Sequence, residues 1–440
     1  MSKRLMILVL AAVVVCFMTA AYAEVQNVKV GGDLTIVGVS RNNVNQKRDS
    51  GSGGLSATGA ASIARIKVDA NLTDNVDVTF RLLNERAWGT LDGTGAPYNT
   101  AIDVDLAYIT LKDFLKDQIG VPLTVKLGRQ ELKLGDGLLI GDPDTNQYTS
   151  SGNFAGTALG DLDVKKAFDS AVVIADLNPL TVIGAMVKGK EGSITNGQDD
   201  LNVFVLNGAY KMDVMNTVLE LTYLLEPRNK IVYTTAGDIS VYDGRVTITP
   251  IEDLNLAAEY AYQTYKDTAV RTDAGGKKKT ISDTAFRLVA NYTFAKVAMT
   301  PAFGLDYTRL SKTWLPLFED ITPADIMNLI FANTNAQVVG ATVSAKPVKD
   351  VMLKLRYATA HAFAPLGSGT GSYTSAGTGQ VYTTTLNKQM GQEVDFGVAY
   401  DYTDDVQFGL NLGYFLPGKA FDNASRGKES QVIGSMKVSF

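Results

Sequence analysis

The feature that most constrains this chain is an alternation of apolar and polar residues with a period of two, which recurs along most of its length. In the last ten residues, 431–440, one set of alternate positions is mainly apolar and the other is mixed. Successive side chains of a β-strand point to opposite faces, so this pattern predicts strands with one face against an apolar medium. We count eighteen such segments. They are 27–40, 60–71, 76–86, 101–112, 121–134, 166–176, 180–190, 200–211, 216–226, 237–249, 254–266, 282–294, 297–310, 335–346, 350–362, 391–402, 405–416 and 430–440.

Short turns and long polar loops alternate between these segments. The short turns lie at 73–75, 178–179, 213–215, 251–253, 347–349 and 403–404. The longer segments, rich in Gly, Ser, Thr, Asn and Asp, include 41–59, 87–100, 135–165, 267–281, 311–334, 364–390 and 417–429. Short turns on one rim and long loops on the other are typical of outer-membrane barrels, whose last strand pairs with the first so that no edge meets lipid. The sequence therefore predicts an all-β, antiparallel transmembrane β-barrel with about 18 strands.

The first residues predict export. Two basic residues precede the apolar run 5–18, and Ala21-Tyr22-Ala23 is a small-residue cleavage site. This is the pattern of a secretory signal peptide, and the run is shorter than the roughly 20 residues of a spanning helix. We expect residues 1–23 to be removed and residues 24–440 to form one barrel domain in the bacterial outer membrane.

Charge and cysteine usage exclude several classes of protein. Loss of two basic residues with the signal peptide leaves 39 Lys and Arg against 46 Asp and Glu, a net charge of −7. This balance argues against nucleic acid as a partner. The chain's one cysteine, Cys16, lies in the segment predicted to be removed, so we expect no disulfide.

The polar face of the strands predicts a wet lumen. The apolar face ends repeatedly in tyrosine, as an interfacial girdle does, and eighteen strands leave an aqueous channel. The predicted partners are therefore membrane lipid and small hydrophilic or anionic solutes that diffuse passively. The bases placed inward are Arg65, Lys67, Arg81, Lys126, Arg245, Arg287, Lys354 and Arg356. The acids placed inward are Asp69, Asp77, Asp103, Asp105, Glu220, Glu259, Asp306 and Asp395.

One region stands out from the repeating background. It reads Leu127-Gly128-Arg129-Gln130-Glu131-Leu132, Gly135-Asp136-Gly137, Gly141-Asp142-Pro143 and then Phe168-Asp169, with a weaker match at Arg81–Glu85. In these motifs the chain resembles the alginate-export family of outer-membrane porins. The resemblance implies an eighteen-stranded barrel whose lumen, lined by arginines and acids, passes an anionic polysaccharide or a small solute. It also implies a pore role for Arg129, with Glu131 beside it.

The orientation of Arg129 is open. Alternation with Leu127 points it towards lipid, whereas a bulge at Gly128 would return it to the lumen. In a third arrangement it reaches the membrane interface. If it lies inside, Arg129, Arg287, Arg356 and Lys354 would set anion selectivity. The alternative is that Asp103, Asp105, Glu259 and Asp395 neutralise this section and leave an unselective channel.

Three further hypotheses follow from the loops. The acids between Gly135 and Asp144 offer calcium ligands, although their spacing does not match an ordered metal loop, and we expect no metal or cofactor. The segment Pro323–Phe331 predicts a short helix capped by Thr322, which either narrows the barrel mouth or binds another protein in an adhesion or scaffold role. The one histidine, His361, lies at a strand end near Ser- and Thr-rich sequence, which leaves a barrel hydrolase as the least favoured alternative. We expect no enzymatic activity.

Overall fold

The computed structural model describes residues 27–47, 54–89, 102–143, 159–190, 201–228, 236–267, 280–366, 372–375 and 379–440. The predicted signal peptide lies outside the described residues. Among those residues, no helix has both the length and the apolar character needed to cross a membrane.

Eighteen long strands form one antiparallel sheet, and each pairs with its neighbour in the chain. The first nine are β1 (Asn27–Asn42), β2 (Ala57–Thr73), β3 (Val76–Ala87), β4 (Asp103–Phe114), β5 (Leu123–Glu131), β6 (Ala167–Asp176), β7 (Leu180–Lys190), β8 (Leu201–Met212) and β9 (Thr217–Glu226). The others are β10 (Ala236–Ile251), β11 (Leu254–Asp267), β12 (Thr280–Thr293), β13 (Ala302–Leu310), β14 (Ala336–Val348), β15 (Val351–Ala362), β18 (Gln389–Asp401), β19 (Val406–Pro417) and β20 (Glu429–Ser439).

The sheet closes because the last strand pairs with the first. The β1–β20 register runs from Asp33↔Ser439 to Asn42↔Ser430. Phe440 continues the pairing, since its N–H donates to the Gly32 carbonyl at 3.0 Å and its carbonyl accepts from the Gly32 N–H at 2.9 Å. A closed sheet leaves no unpaired strand edge, which is the condition for crossing lipid. The predicted fold class and closing strand are confirmed.

Short connections lie on one rim and long ones on the other, as predicted. Two of the short connections contain a helical turn, α1 (Lys116–Ile119) before β5 and the 3₁₀ turn Val214–Asn216 before β9. The long loop between β15 and β18 contains a small separate hairpin, β16 (Ser372–Thr374) and β17 (Val381–Thr383), which the sequence pattern did not reveal.

One strand begins later than predicted. The segment 297–310 is a strand only from Ala302, because Met299 and Thr300 have positive φ and Pro301 has no backbone N–H to donate to a ladder. The residues before it form part of the short-turn rim.

The outward face carries aromatic side chains near the short-turn rim. Phe294 makes edge contacts with Tyr292 and Phe303, and Tyr400, Tyr402 and Phe408 pack together. Such belts are characteristic of the membrane interface. The predicted aromatic girdle is present on this side.

Packing inside the barrel comes from loops that fold inwards. The largest cluster joins inward residues of β6–β12, such as Val205 and Val241, to loop residues such as Ile140 and Trp314. A second cluster packs α2 (Asp325–Ile330) against inward residues of β14, β15 and β19. The lumen is therefore partly filled by the chain's own loops.

Candidate functional site: a lumen narrowed by two loops

Two segments enter the lumen from the long-loop rim. Loop A is residues 132–143, between β5 and β6, and loop B is residues 311–335, between β13 and β14. In loop A, Leu138, Leu139 and Ile140 are buried against the inner wall. Gly135 and Gly137 have φ of +54° and +83°, a conformation that costs side-chain-bearing residues energy. The glycine- and aspartate-rich motif thus makes the sharp turns that bring loop A inside.

Loops A and B meet each other inside the barrel. The N–H groups of Gly141 and Asp142 donate to the Phe318 carbonyl at 2.7 and 3.0 Å, and the Asp320 N–H donates to the Gly137 carbonyl at 2.7 Å. The Phe318 ring makes an edge contact with Phe168 at 5.7 Å between centroids. The two loops therefore form one connected body.

Asp320 of loop B forms ion pairs that help to hold the two loops together. It accepts hydrogen bonds from Lys133 Nζ and Lys166 Nζ, each at 2.6 Å, and Lys166 also lies 3.6 Å from Asp142. Burial tends to lower the pKa of Lys166, but the hydrogen bond and negative charge of Asp320 outweigh it, so the pKa is raised. Lys166 therefore remains charged and holds the two loops together.

Loop B is anchored by the wall strand β18. The N–H groups of Ile326 and Met327, at the start of α2, donate to the Glu393 carboxylate at 2.6 and 2.7 Å. Ala324 occupies the N-cap position without a side-chain cap, so the predicted cap by Thr322 is wrong. The physical reason is that a carboxylate from the wall satisfies the N–H groups that a cap would have paired.

Helix α2 faces the lumen wall. Residues Ile326 to Ile330 are all buried, and the helix contacts β18, β19 and β20. Of the two placements predicted for this segment, the structure shows the one inside the barrel.

Arg356 ties loop B to the wall from the neighbouring strand β15. Its Nη1 and Nη2 donate to Asp306 at 2.7 and 3.1 Å, and its Nε and Nη2 donate to the Pro323 carbonyl at 2.9 and 2.7 Å. A fifth hydrogen bond goes to Thr342. Asp395 lies opposite Arg356 in the register and is buried. The predicted Arg356 and Asp395 thus come together at the base of loop B.

Loop A is tied to the opposite part of the wall by Arg245. This guanidinium bonds to Asp136 of loop A at 2.8 Å and to Glu220 at 2.5 Å, and it lies 3.8 Å from Glu259. Arg287 lies 3.8 Å from the same Asp136 and donates to Thr308. The family-motif aspartate is therefore shared by two arginines, one of which was predicted as a selectivity residue.

The strands β2–β5 carry a second inward network. Arg81 bonds to Asp105 and Glu131, each at 2.5 Å, and Arg65 bonds to Asp33 at 2.9 Å. Asp103 accepts from Lys165 at 2.6 Å. A register shift between Arg81 and Leu82 leaves Asp105 in a bulge of β4. Apart from Arg129 and Glu131, the predicted pore residues lie on the lumen side, and most are in ion pairs. Glu131 is the last residue of β5 and contacts Arg81 from the strand end.

Arg129 lies on the outward face, so its prediction as a lumen residue is wrong. Gly128 has φ of +125°, but the register continues through it on both sides, with Tyr108 and Ser170 opposite. Alternation is therefore unbroken, and Arg129 shares a face with Leu127, which is 44% exposed. Its partner, at 3.2 Å, is Asp169 on β6. Although Gly128 has a positive φ, it adds no extra residue to the strand as a bulge would. The side chains after it therefore keep their orientation.

Lys354 and His361 lie on opposite faces of β15. Lys354 faces inwards, two positions from Arg356, and is exposed. His361 faces outwards, opposite Gln337 and Gln389 in the register. An outward position at the strand end gives the hydrolase hypothesis no support.

The acids of loop A face bases. Asp136 is held by Arg245, and Asp142 lies beside Lys166. Within the described ranges, no group of three or more metal-ligating side chains comes together.

A buried carboxyl lies within loop B. Burial raises the pKa of Glu319 to about 8, opposed by the hydrogen bond from Asn333 Nδ2 at 3.1 Å. In the same loop, burial raises the pKa of Asp325, although the hydrogen bond from Asn411 opposes the shift. Loop B therefore contains two carboxyl groups whose pKa is raised by burial.

Sequence reasoning missed Glu393, Asp320 and Lys166 as anchors. An inward position of Glu393 could have been predicted from sequence, because Glu393 lies two positions from Asp395 and hence on the same inward face. The two others lie in loops, where no periodicity indicates which partner a side chain will meet.

The solved structures that this barrel resembles include outer-membrane porins of Pseudomonas. OccK5 (OpdH) of Pseudomonas aeruginosa matches with a TM-score of 0.56 and 10% identity, covering 94% of this chain and 99% of its own. A BenF-like porin of Pseudomonas fluorescens Pf-5 gives 0.57 and 12%, covering 94% and 100%. OpdK of Pseudomonas aeruginosa, solved with vanillate, gives 0.54 and 11%, covering 94% and 99%. No curated protein sequence matches the chain.

The sequence profile of a family described as alginate export matches residues 37–434, which is nearly the whole barrel. The motifs singled out in the sequence lie within this range and form loop A and its surroundings. With its closed barrel and lumen-facing charges, the chain is an outer-membrane channel and belongs to the alginate export family.

Proposed function

We propose that this barrel passes small hydrophilic solutes, including carboxylate anions, by passive diffusion, and that loops A and B set its size limit. The observation that carries the proposal is the contact between the two loops inside the lumen, where Phe318 accepts from Gly141 and Asp142. Because each loop is also tied to the wall, by Arg245 and by Arg356, the two act as one fixed obstruction.

The lumen charges support weak ion selectivity in place of strong anion selectivity. Arg287 and Arg356, proposed from sequence as selectivity residues, are each beside an acid and act mainly as braces. Lys354 is exposed on the inward side and offers an anion transient contacts, whereas Lys67 is partly exposed and already paired with Asp69 at 2.8 Å. Weak, repeated contacts let an ion enter and still leave.

Polysaccharide export is a narrower proposal. Alginate is a chain of uronate sugars, and each sugar carries a carboxylate that lysine and arginine can bind. The packed loops favour short fragments over long chains unless loop B moves. The vanillate in the OpdK structure is also a carboxylate. At 11% identity, however, the similarity to OpdK shows only a shared fold and says nothing about the ligand of this chain. The support for carboxylate passage therefore comes from the inward-facing bases.

We also propose that residues 24–440 function as one unit after residues 1–23 are cut off, and that the protein is not an enzyme. Replacing His361 by alanine should leave solute flux and any measured lipid or peptide turnover unchanged. Loss of a hydrolytic activity in that variant would contradict the second proposal.

Liposome swelling tests the size limit. Vesicles containing the protein are assayed with neutral and anionic sugars of increasing length, alongside a variant in which residues 313–333 are replaced by a short glycine linker. We expect the variant to admit longer sugars. An unchanged size limit would show that loop B does not form the constriction.

Planar-bilayer recording under a salt gradient tests selectivity. We expect a reversal potential near zero with a small anion preference that falls in Lys354→Ala. A strong preference for cations would contradict passage of carboxylates.

A further inference from the structure

A row of charged residues crosses the outward face near the long-loop rim. Arg129 on β5, Asp169 on β6 and Lys188 on β7 are consecutive register partners. Arg129 Nη1 lies 3.2 Å from Asp169 Oδ2. Their neighbours on the same face, Leu127 and Met186, are apolar and exposed. The row therefore interrupts an otherwise lipid-facing surface.

The row lies close to the strand ends. Arg129 is two residues from the end of β5, Asp169 is two residues from the start of β6, and Lys188 is two residues from the end of β7. A lipid-facing base is costly at the bilayer midplane and costs much less near the interface. At this depth the side chains reach the headgroups of the outer leaflet.

The composition of the outward face differs between the two rims. Aromatic residues lie near both rims, as Tyr292 and Tyr400 do at the short-turn rim and Phe204 and Tyr414 at the long-loop rim, so the difference lies in the charged residues. Near the long-loop rim, further outward-facing bases appear on other strands. These are Arg86 on β3, Lys266 on β11 and Arg309 on β13. Within the described strands, these bases on the outward face complement a leaflet whose headgroups are anionic.

We propose that Arg129 and Lys188, placed on either side of Asp169, bind the phosphate groups of a phosphorylated glycolipid in the outer leaflet. A guanidinium presents a planar fork of donors that matches a phosphate, and an ammonium adds a point charge beside it. The row itself contains two bases and one acid. Asp169 fixes the direction of the Arg129 guanidinium, so the motif arginine acts on the outside of the barrel.

The test uses the refolded protein in phosphatidylcholine bilayers, with and without bisphosphorylated lipid A, and measures the heat-unfolding midpoint. The double variant R129Q/K188Q is compared with the matched control K126Q/K354Q, which removes two inward-facing bases. We expect lipid A to raise the midpoint of the natural protein and the control. In the double variant the apparent affinity for lipid A should fall by about tenfold or more, because the charge-assisted hydrogen bonds to its phosphates are lost.

Two further arms keep the test decisive. The same glycolipid stripped of its phosphates should give no shift, and Asp169→Asn, which makes the row more positive, should keep the response or strengthen it. An equal response of the double variant, or an equal effect of the dephosphorylated glycolipid, would overturn the proposal. Inorganic phosphate that reproduced the shift would overturn it too, because it would identify a site for any small anion. If the double variant does not fold, Arg129→Lys and Arg129→Gln provide the comparison.

Discussion

Replacing Arg356 by alanine should release loop B and widen the channel. The side chain makes two hydrogen bonds to the Pro323 carbonyl, at 2.9 and 2.7 Å, and these are its direct connection to the loop. A hydrogen bond that involves a charged group contributes about 1.5–3 kcal/mol, and because both bonds go to one carbonyl oxygen we count them as a single interaction. Since about 1.4 kcal/mol is a factor of ten, the released fraction of loop B should rise about 10- to 150-fold.

The variant also leaves Asp306 without its base. Removing one member of a buried ion pair costs about 3–5 kcal/mol, and both side chains of this pair are largely buried. The double variant R356A/D306N removes that uncompensated charge, so it should unfold at higher denaturant concentration than R356A while keeping the released loop. Stability and loop release can thus be measured separately.

The assay is single-channel recording combined with liposome swelling. We expect R356A to show more frequent high-conductance events and to admit larger sugars. Arg65→Ala is the matched control, because it also removes an inward arginine from an ion pair, but its partner is Asp33 on β1. An unchanged conductance distribution and size limit in R356A would refute the idea that Arg356 holds the constriction.

Three other predictions follow from particular residues. Because burial raises the pKa of Glu319 to about 8 from an ordinary 4.5, the packed form of loop B should lose stability as pH rises between these values. Conductance should increase over that range, and Glu319→Gln should weaken this dependence without removing it, because burial raises the pKa of Asp325 as well. Gly128→Ala should destabilise the barrel by about 1–3 kcal/mol in urea unfolding, because Gly128 has positive φ and a Cβ there would lie 2.1 Å from the Ala107 carbonyl oxygen. Gly38→Ala is its control, since a Cβ at Gly38 meets nothing within 4 Å, and an equal effect of both changes would contradict this explanation. Protease added to intact cells should cut within the long loops and leave the turns at Asp74 and Thr403 intact, whereas cleavage at those turns would invert the topology.

The wall of the barrel could be predicted from sequence because a membrane imposes a simple rule on each strand. Period-two alternation gave the eighteen strands and placed Arg287 and Glu259 on the same inward face, where they are register partners. The ends were less certain, as at Ala302, because proline and left-handed residues decide where a ladder begins. Alternation alone also predicts the outward orientation of Arg129. The bulge suggested at Gly128 predicts an inward orientation, which the structure does not show.

The constriction could not be predicted in the same way. Loops A and B are held by side chains far apart in sequence, as in the bond between Lys166 and Asp320. Their turns depend on glycines and aspartates, which fit many loop conformations. The sequence therefore indicated that the motif was special without showing where it goes.

The most direct test of the central claim is cysteine accessibility during channel recording. Single cysteines at Lys67 and Lys354, which face the lumen, are compared with one at Leu221, which faces outwards and is 72% exposed. The mature chain predicted from the sequence has no other cysteine. A charged, membrane-impermeant thiol reagent should reduce the current at the two inward positions and leave it unchanged at Leu221. Unchanged current at Lys67 and Lys354, or block from Leu221, would contradict a conducting lumen lined by these residues.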